Sequence, residues 1–216
     1  MPTKGSTAAL ALLLLACSAR ASDRDLAHEA LALCHEASLV ARATARSLVE
    51  AGLVTATRAV REHPGNPVGH FATFCNLAKR MQLDGPGLRA LPALRHARRA
   101  LDRALELDPD YPDALAAKGA LLYYLPRFAG GDVDTAEMLI RRVLSRRPDS
   151  PVRLVLVDLL TYRRSVRAAH REAMRWRSAI DATHDRADHA ASRALLEHLC
   201  TQALPRPVED VVRERC

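Results

Sequence analysis

The sequence predicts an all-α protein made of packed helical hairpins. Alanine, leucine and arginine dominate the 216 residues, and aromatic residues make up only 4%. Alanine and leucine are among the strongest helix formers, and long runs of β-branched residues are scarce. Apolar residues also recur with the spacing of one helix face and stop four residues before a proline. These observations predict helices over residues 23–204.

The N-terminal residues 1–16, MPTKGSTAALALLLLA, have the layout of a secretory signal peptide, with one lysine followed by an apolar run over 8–16. This run is too short to span a bilayer. The segment over 14–17, Leu-Leu-Ala-Cys, resembles a bacterial lipobox, in which Cys17 would become the acylated first residue. The small residues at 19–21 also fit ordinary signal peptidase, but the apolar run adjoins Cys17 directly and favours the lipobox.

Both cleavage patterns predict an exported protein. With lipobox cleavage, residues 17–22 form a short tether. Ser18 directly follows Cys17, and by resemblance to Gram-negative lipoproteins it points to the outer membrane. We therefore predict a periplasmic outer-membrane lipoprotein that contacts the membrane through its lipid anchor only.

Export also changes the interpretation of the other four cysteines, because disulfides persist in oxidising compartments. Cys200 and Cys216 flank a proline-containing C-terminal tail at 205–216 and could staple it to the last helix. Cys34 and Cys75 could meet if their helices are neighbours, or they could be small buried apolar residues. Spacing alone leaves the pairing open, and no Cys/His pattern predicts a zinc site.

One apolar stripe recurs three times, at i, i+3, i+4, i+7 and i+8, and a proline follows its last residue by four. The copies are Gly52, Thr55, Ala56, Ala59 and Val60 before Pro64; Ala97, Ala100, Leu101, Ala104 and Leu105 before Pro109; and Ala136, Leu139, Ile140, Val143 and Leu144 before Pro148. A pattern repeated at one offset indicates an internal repeat. A new helix is predicted after each break, from Pro67, Pro112 and Pro151, because proline suits the first helical turn.

These positions resemble the tetratricopeptide repeat (TPR) family, whose second helix has a small residue, a large apolar residue four later, then Ala-Leu and proline. The matching residues are Ala97, Leu101, Ala104, Leu105 and Pro109, then Ala136, Ile140, Leu144 and Pro148, with Val143 replacing alanine, and Gly119 in the first helix. Pro64 to Pro109 is 45 residues and Pro109 to Pro148 is 39, against about 34 in the family. The resemblance implies an α-solenoid of helical hairpins over 23–204, ended by a capping helix at about 183–203.

Parts of the chain are also similar to the TPR-like lipoproteins called TRAP-transporter T components. The similarity lies in DPDYPDALAAKGALLYY (108–124), in the Gly-Gly-Asp turn of PRFAGGDVDTAEMLIRRVL (126–144), and in DRADHAASRALLEHL (185–199). The chain lacks much of their N-terminal region and a Pro-Glu-Asn element of the last helix. This resemblance implies an accessory that handles a small hydrophobic ligand together with a solute-binding protein.

Three local features have both a functional and a structural interpretation. Gly130-Gly131-Asp132 could bind an anion at a helix N-terminus, but a turn in which Asp132 or Asp134 caps the next helix is favoured. The residues His184, Asp185, Asp188 and His189 could hold a metal, but ordinary i,i+4 pairs are favoured. Asp158 could be a charged group in a ligand cavity, but an internal pair with an arginine of the next helix is favoured.

No nucleophile, paired-carboxylate or phosphate-loop pattern stands out, so we predict a non-catalytic protein without cofactor or metal. The formal net charge is +7, but the arginines are scattered on helix faces among acidic residues, as in RHARRALDR. Solvated helix faces are therefore favoured over a nucleic-acid surface.

The TPR resemblance implies a concave groove, lined by the first helix of each hairpin, that binds a partner protein or peptide. Seven residues are candidates for this groove: Phe71, Lys79, Tyr123, Tyr124, Asp158, Tyr162 and Arg163. Aromatic residues and arginine are common anchors of binding surfaces. The alternative is that the aromatic rings are buried against neighbouring helices. The oligomeric state, including a homo-oligomer, stays open.

Overall fold

The computed structural model describes residues 26–85, 91–182 and 186–216, with the side chains at 186–191 and 194 left out. The signal peptide, Cys17 and the tether at 17–22 lie outside the described residues, as do His184 and Asp185 and the side chains of Asp188 and His189. The described part of the chain contains helices and turns and no strand, so the all-α prediction is confirmed. No helix in this part is long and apolar enough to cross a membrane.

The chain divides into two compact units at the Asp108–Pro109 junction. Unit 1 contains a helix over 26–36 (α1), then α2 (Arg42–Glu62), α3 (Pro67–Asp84) and α4 (Leu91–Leu107). Unit 2 contains α5 (Pro112–Tyr124), a 3-10 turn (Arg127–Ala129), α6 (Val133–Arg146), α7 (Arg153–Tyr162), α8 (Val166–Ala182), α9 (Arg186–Cys200) and α10 (Arg206–Arg213).

Unit 1 packs α3 between α2 and α4. The Asn66 side chain accepts a hydrogen bond from the Val68 backbone N–H at 3.0 Å and so caps α3, with Pro67 in the first turn as predicted. Gly52 of α2 lies against Asn76 of α3, where an added Cβ would be 2.2 Å from the amide oxygen. The small residues of the repeated stripe therefore set how closely these two helices approach.

Unit 2 begins with the α5–α6 hairpin, which the proline break at 109–112 introduces. Gly119 permits the close approach: a Cβ there would be 2.8 Å from Cγ1 of Ile140. Asp132 caps α6 by accepting from the backbone N–H groups of Asp134 and Thr135 at 3.1 Å each. Gly130 has a positive φ of 90°, and a Cβ on Gly131 would be 1.8 Å from the Leu125 carbonyl oxygen. These contacts support the capped-turn interpretation of the Gly-Gly-Asp sequence.

The rest of unit 2 packs α8 against α7 and α10, and α9 against α7. Arg153 of α7 and Glu172 of α8 form an ion pair whose side chains are only 7% and 8% exposed. Arg175 donates to the second carboxylate oxygen of Glu172 at 2.7 Å. Because a buried charge needs a partner, this pair links α7 to α8.

The segment at 205–216, expected as a tail, contains helix α10. Pro207 stands in its first turn, and Val208, Val211 and Val212 are buried at i, i+3 and i+4. This short apolar stripe packs on α8 and α9, which is the physical reason that the segment is folded. Both disulfides that the sequence left open are present, Cys34–Cys75 between α1 and α3 and Cys200–Cys216 between α9 and the end of the chain.

Candidate functional site: a tyrosine cleft in unit 2

Five of the seven candidate groove residues line one cleft of about 870 Å³ in unit 2. We call it the tyrosine cleft and define it by Tyr123, Tyr124, Asp158, Tyr162, Arg163 and His198. Its walls are the C-terminal ends of α5 and α7, the start of α6, and the last turn of α9 with the connection to α10.

Local sequence explains how these side chains come together. Tyr123 and Tyr124 are the last two residues of α5, and Pro126 follows so that the helix stops there. Asp158 and Tyr162 are four residues apart in α7 and share a face, and Arg163 ends that helix. The tyrosine pair and the α7 residues thus meet at the ends of their helices, where backbone turns leave space for a cavity.

The tyrosine rings form a chain of contacts with partly open faces. The Tyr123 and Tyr124 ring centroids lie 4.8 Å apart, and Tyr123 meets Tyr162 at 6.4 Å in an edge-on arrangement. The His198 ring stands at 88° to the Tyr124 ring, with their centroids 5.3 Å apart. Tyr162 is 71% exposed and Tyr124 is 44% exposed, so the cleft presents aromatic surface to solvent.

Asp158 is the buried charge of the cleft. Its Oδ2 lies 3.3 Å from Nε2 of His198, and its side chain is only 12% exposed. Its carboxylate also accepts hydrogen bonds from the Tyr123 and Tyr124 hydroxyls. Burial raises the pKa of both tyrosines well above its usual range, and the negative charge of Asp158 raises it further. The sequence predicted that an arginine would pair with Asp158. The partners of Asp158 are instead one histidine and two tyrosine hydroxyls.

Arg163 borders the cleft but is held by carboxylates. It pairs with Asp134 at the start of α6 and lies 3.2 Å from a carboxylate oxygen of Glu137. The hydrogen bond to Asp134 raises the pKa of Arg163. Its charge is thus largely balanced within the protein.

The two candidate groove residues of unit 1 have different surroundings. Phe71 is 6% exposed and stacks on Phe74 with ring centroids 5.9 Å apart, so it belongs to the core of unit 1 and not to an open groove. The reason is that it faces the buried side of α3 together with Ala72. Lys79 is half-buried, and burial lowers the pKa of its ammonium group.

Sequence interpretation missed His198 and the adjoining wall residues Gln202, Ala203 and Leu204. Position 198 lies on a helix face without a TPR motif, and its contact with Asp158 spans 40 residues of chain. The one available signal was the neighbouring Cys200, whose disulfide to Cys216 holds this end of α9 in place.

A second cavity of about 720 Å³ lies between α6, α7 and α8 and is lined by Arg141, Arg153, Glu172 and Arg175, among others. Arg141 already pairs with Glu137, and Arg153 and Arg175 already pair with Glu172. Among the described side chains, no group of three or more metal-ligating residues occurs. The tyrosine cleft is therefore the stronger candidate for a binding site.

Comparison with protein-family models finds no match for this chain, and a search of curated protein sequences finds no similar protein. The geometry of the tyrosine cleft therefore carries the functional argument.

Proposed function

We propose that this chain is a non-catalytic, TPR-like helical-repeat protein that binds an extended segment of a partner protein in the tyrosine cleft. The observation that carries the proposal is the gathering of Tyr123, Tyr124, Asp158, Tyr162 and Arg163 in one cleft. The burial of the repeated stripes in α2, α4 and α6 supports the hairpin-repeat interpretation.

The character of the cleft supports a polypeptide occupant. A site for a small hydrophobic ligand is expected to enclose it in apolar walls. The tyrosine cleft instead has exposed rings beside charged Asp134 and Arg163, which lie at its rim. Such a mixture of aromatic anchors and polar rim is typical of protein-binding surfaces.

The second candidate function is a transport accessory that holds a small ligand beside a solute-binding protein. The observation in its favour is the volume of about 870 Å³, which falls within the usual range for small-molecule sites. Competition between a bound peptide and hydrophobic small molecules would separate the two functions, because only the accessory should prefer the small molecule.

We also propose that the protein works in the periplasm as a lipoprotein anchored through Cys17. The two disulfides support an oxidising compartment, since they pair all four of the remaining cysteines. Replacing Cys17 with alanine should move the protein from the membrane fraction to the soluble periplasmic fraction. Unchanged fractionation would contradict the anchor.

The binding proposal can be tested by selecting displayed random decapeptides on the immobilised wild-type protein. Recovered peptides should lose affinity for Tyr162→Ala by about tenfold or more, the size of effect that loss of an aromatic anchor typically produces. The matched control is Met138→Ala, because Met138 is also apolar and 61% exposed in unit 2 but does not line the cleft.

Peptides whose affinity falls equally for both variants, or for neither, would contradict the tyrosine cleft as the binding site. Failure to enrich any peptide would contradict the proposed function itself.

A further inference from the structure

Among the described residues of unit 2, the side chains of Asp158 and Glu172 are both buried, but their partners differ. Glu172 is compensated by two arginines, Arg153 and Arg175. Among the described residues, Asp158 meets one imidazole and two phenol hydroxyls, and no lysine or arginine pairs with it. Phenols donate hydrogen bonds but carry no compensating charge while protonated. Asp158 is therefore a buried carboxylate with which no permanent cation of the described residues pairs.

The arginines at the rim do not supply that cation. Arg163 is engaged by Asp134 and Glu137. Arg127 is exposed, and its charge contributes to lowering the pKa of Asp132, after the larger effect of the hydrogen bond from Thr135. Both arginines thus act on acidic groups other than Asp158, and neither pairs with the Asp158 carboxylate.

The aromatic rings next to Asp158 supply a second attraction for a cation. The faces of tyrosine rings carry negative electrostatic potential, and a cation within about 6 Å of a ring centroid is stabilised. Tyr162 and Tyr124 are the exposed rings of the cleft. Asp158 lies one helical turn before Tyr162 in α7 and accepts a hydrogen bond from Tyr124. A cation in the cleft would therefore meet ring faces and a carboxylate together.

We propose that the tyrosine cleft selects a lysine or arginine side chain of the bound polypeptide, with the cationic group over the tyrosine rings and directed toward Asp158. This inference rests on the proposed peptide-binding function and adds the chemical class of its ligand. It commits to a basic side chain within a polypeptide, because the cleft volume of about 870 Å³ exceeds what one ammonium or guanidinium group would fill.

Selection of a cation by the cleft is opposite to the preference that the net charge of the chain would produce. A net charge of +7 attracts acidic partners in general. Local selection of a cation predicts the opposite preference at one position of the peptide. Long-range attraction is also screened by salt, whereas a desolvated contact is screened much less.

The test uses the decapeptides recovered on the wild-type protein, sequenced as a pool and then synthesised. The pool should be enriched in lysine or arginine at one position. Replacing that residue with norleucine should weaken binding about tenfold, the combined effect of a cation–π contact and a partly buried ion pair. The loss should persist at raised salt concentration.

Protein variants show which residues cause the affinity difference between the basic and the norleucine peptide. Asp158→Asn keeps the side-chain shape and should abolish most of the difference between the basic and the norleucine peptide. Tyr162→Phe keeps the ring and should preserve that difference, whereas Tyr162→Ala should reduce it. Since Tyr162 is 71% exposed, its variants are expected to fold even if Asp158→Asn does not.

The outcomes separate this inference from the proposed function. Peptides that depend on Tyr162 but carry acidic or neutral residues throughout would overturn cation selection and leave peptide binding intact. A norleucine peptide as tight as its parent would overturn it as well. If free butylamine or butylguanidine competes as well as the whole peptide, the assignment of the occupant to a polypeptide is overturned.

Discussion

Oδ2 of Asp158 lies 3.3 Å from Nε2 of His198 and connects α7 to the last turn of α9 in the tyrosine cleft. His198 is two residues before Cys200, which is bonded to Cys216 after α10. The position of one cleft wall therefore depends on a covalent link as well as on packing. The connection between α9 and α10, which contributes Gln202 and Leu204 to the cleft, lies within the closed loop.

Replacement of both Cys200 and Cys216 with serine is expected to destabilise the end of unit 2 by about 3 kcal/mol, the loop entropy for a bridge over 16 residues. Amide hydrogen exchange in α9 and α10 would measure the loss. Peptide affinity should fall too, because His198 and the following wall become mobile relative to Asp158.

The matched control is the double replacement of Cys34 and Cys75 with serine, which opens a bridge over 41 residues in unit 1. Its expected cost is about 4 kcal/mol by the same entropy argument. This loss should appear in the exchange of α1 and α3 and leave peptide affinity unchanged. Equal losses of affinity in the two double variants would contradict the placement of the binding site in unit 2.

Alkaline titration should reveal the hydrogen bonds between the tyrosines and Asp158. The pKa of Tyr123 and Tyr124 is raised in the folded state, whereas the pKa of tyrosine in the unfolded state is about 10. Above that pH the unfolded state loses protons that the folded state keeps, so the free energy of unfolding should decrease as pH rises. The stabilising contribution is fully present below about pH 10.

Urea unfolding at several pH values between 8 and 11 would measure this slope, with absorbance at 295 nm reporting tyrosine ionisation. Replacing both Tyr123 and Tyr124 with phenylalanine should make the slope shallower. A slope identical to that of the wild-type protein would show that the two hydroxyls are not held as described.

Gly119 offers a direct test of the α5–α6 packing. A Cβ there would be 2.8 Å from Cγ1 of Ile140 and 3.3 Å from the Ala136 carbonyl oxygen. Overpacking of this kind costs about 1–3 kcal/mol, partly offset by a helix-propensity gain of about 1 kcal/mol for alanine. Gly119→Ala should therefore lower the free energy of unfolding by up to about 2 kcal/mol, as measured by denaturant titration.

Gly65→Ala is the control for this substitution, because a Cβ at Gly65 would meet no atom within 4 Å and its φ is not positive. It should be neutral or stabilising by up to about 1 kcal/mol, since it only restricts the unfolded chain. Effects of the same sign and size at both glycines would contradict the close α5–α6 approach.

Local patterns predicted the helices of this protein well. The stripe before Pro109 and the glycine at 119 depend on the helix period and on residues near one another in sequence. The cap at Asp132 was also predictable, because capping involves residues only two or three positions away. In each case the interactions that determine the feature involve residues of one hairpin.

The composition of the tyrosine cleft was only partly predictable. Tyr123 and Tyr162 could be proposed from a family pattern, but the contact between Asp158 and His198 depends on how α7 and α9 pack. Phe71 was assigned to a groove by the same pattern and is buried, since the pattern does not state which neighbour covers a helix face. Helix α10 was overlooked because Pro205 and Pro207 were interpreted as a tail, although Pro207 suits a first helical turn.

The buried pair of Arg153 and Glu172 should be more important for stability than any exposed pair. Glu172→Ala would leave Arg153 buried without its carboxylate, and Nε of Arg153 already lacks a partner. Removing one member of such a pair costs about 3–5 kcal/mol. Glu106→Ala, which breaks the exposed pair with Arg103 (side chains 63% and 49% exposed), should cost less than about 1 kcal/mol. Urea titration of both variants would measure the contrast, and a small loss for Glu172→Ala would mean that water or rearrangement satisfies Arg153.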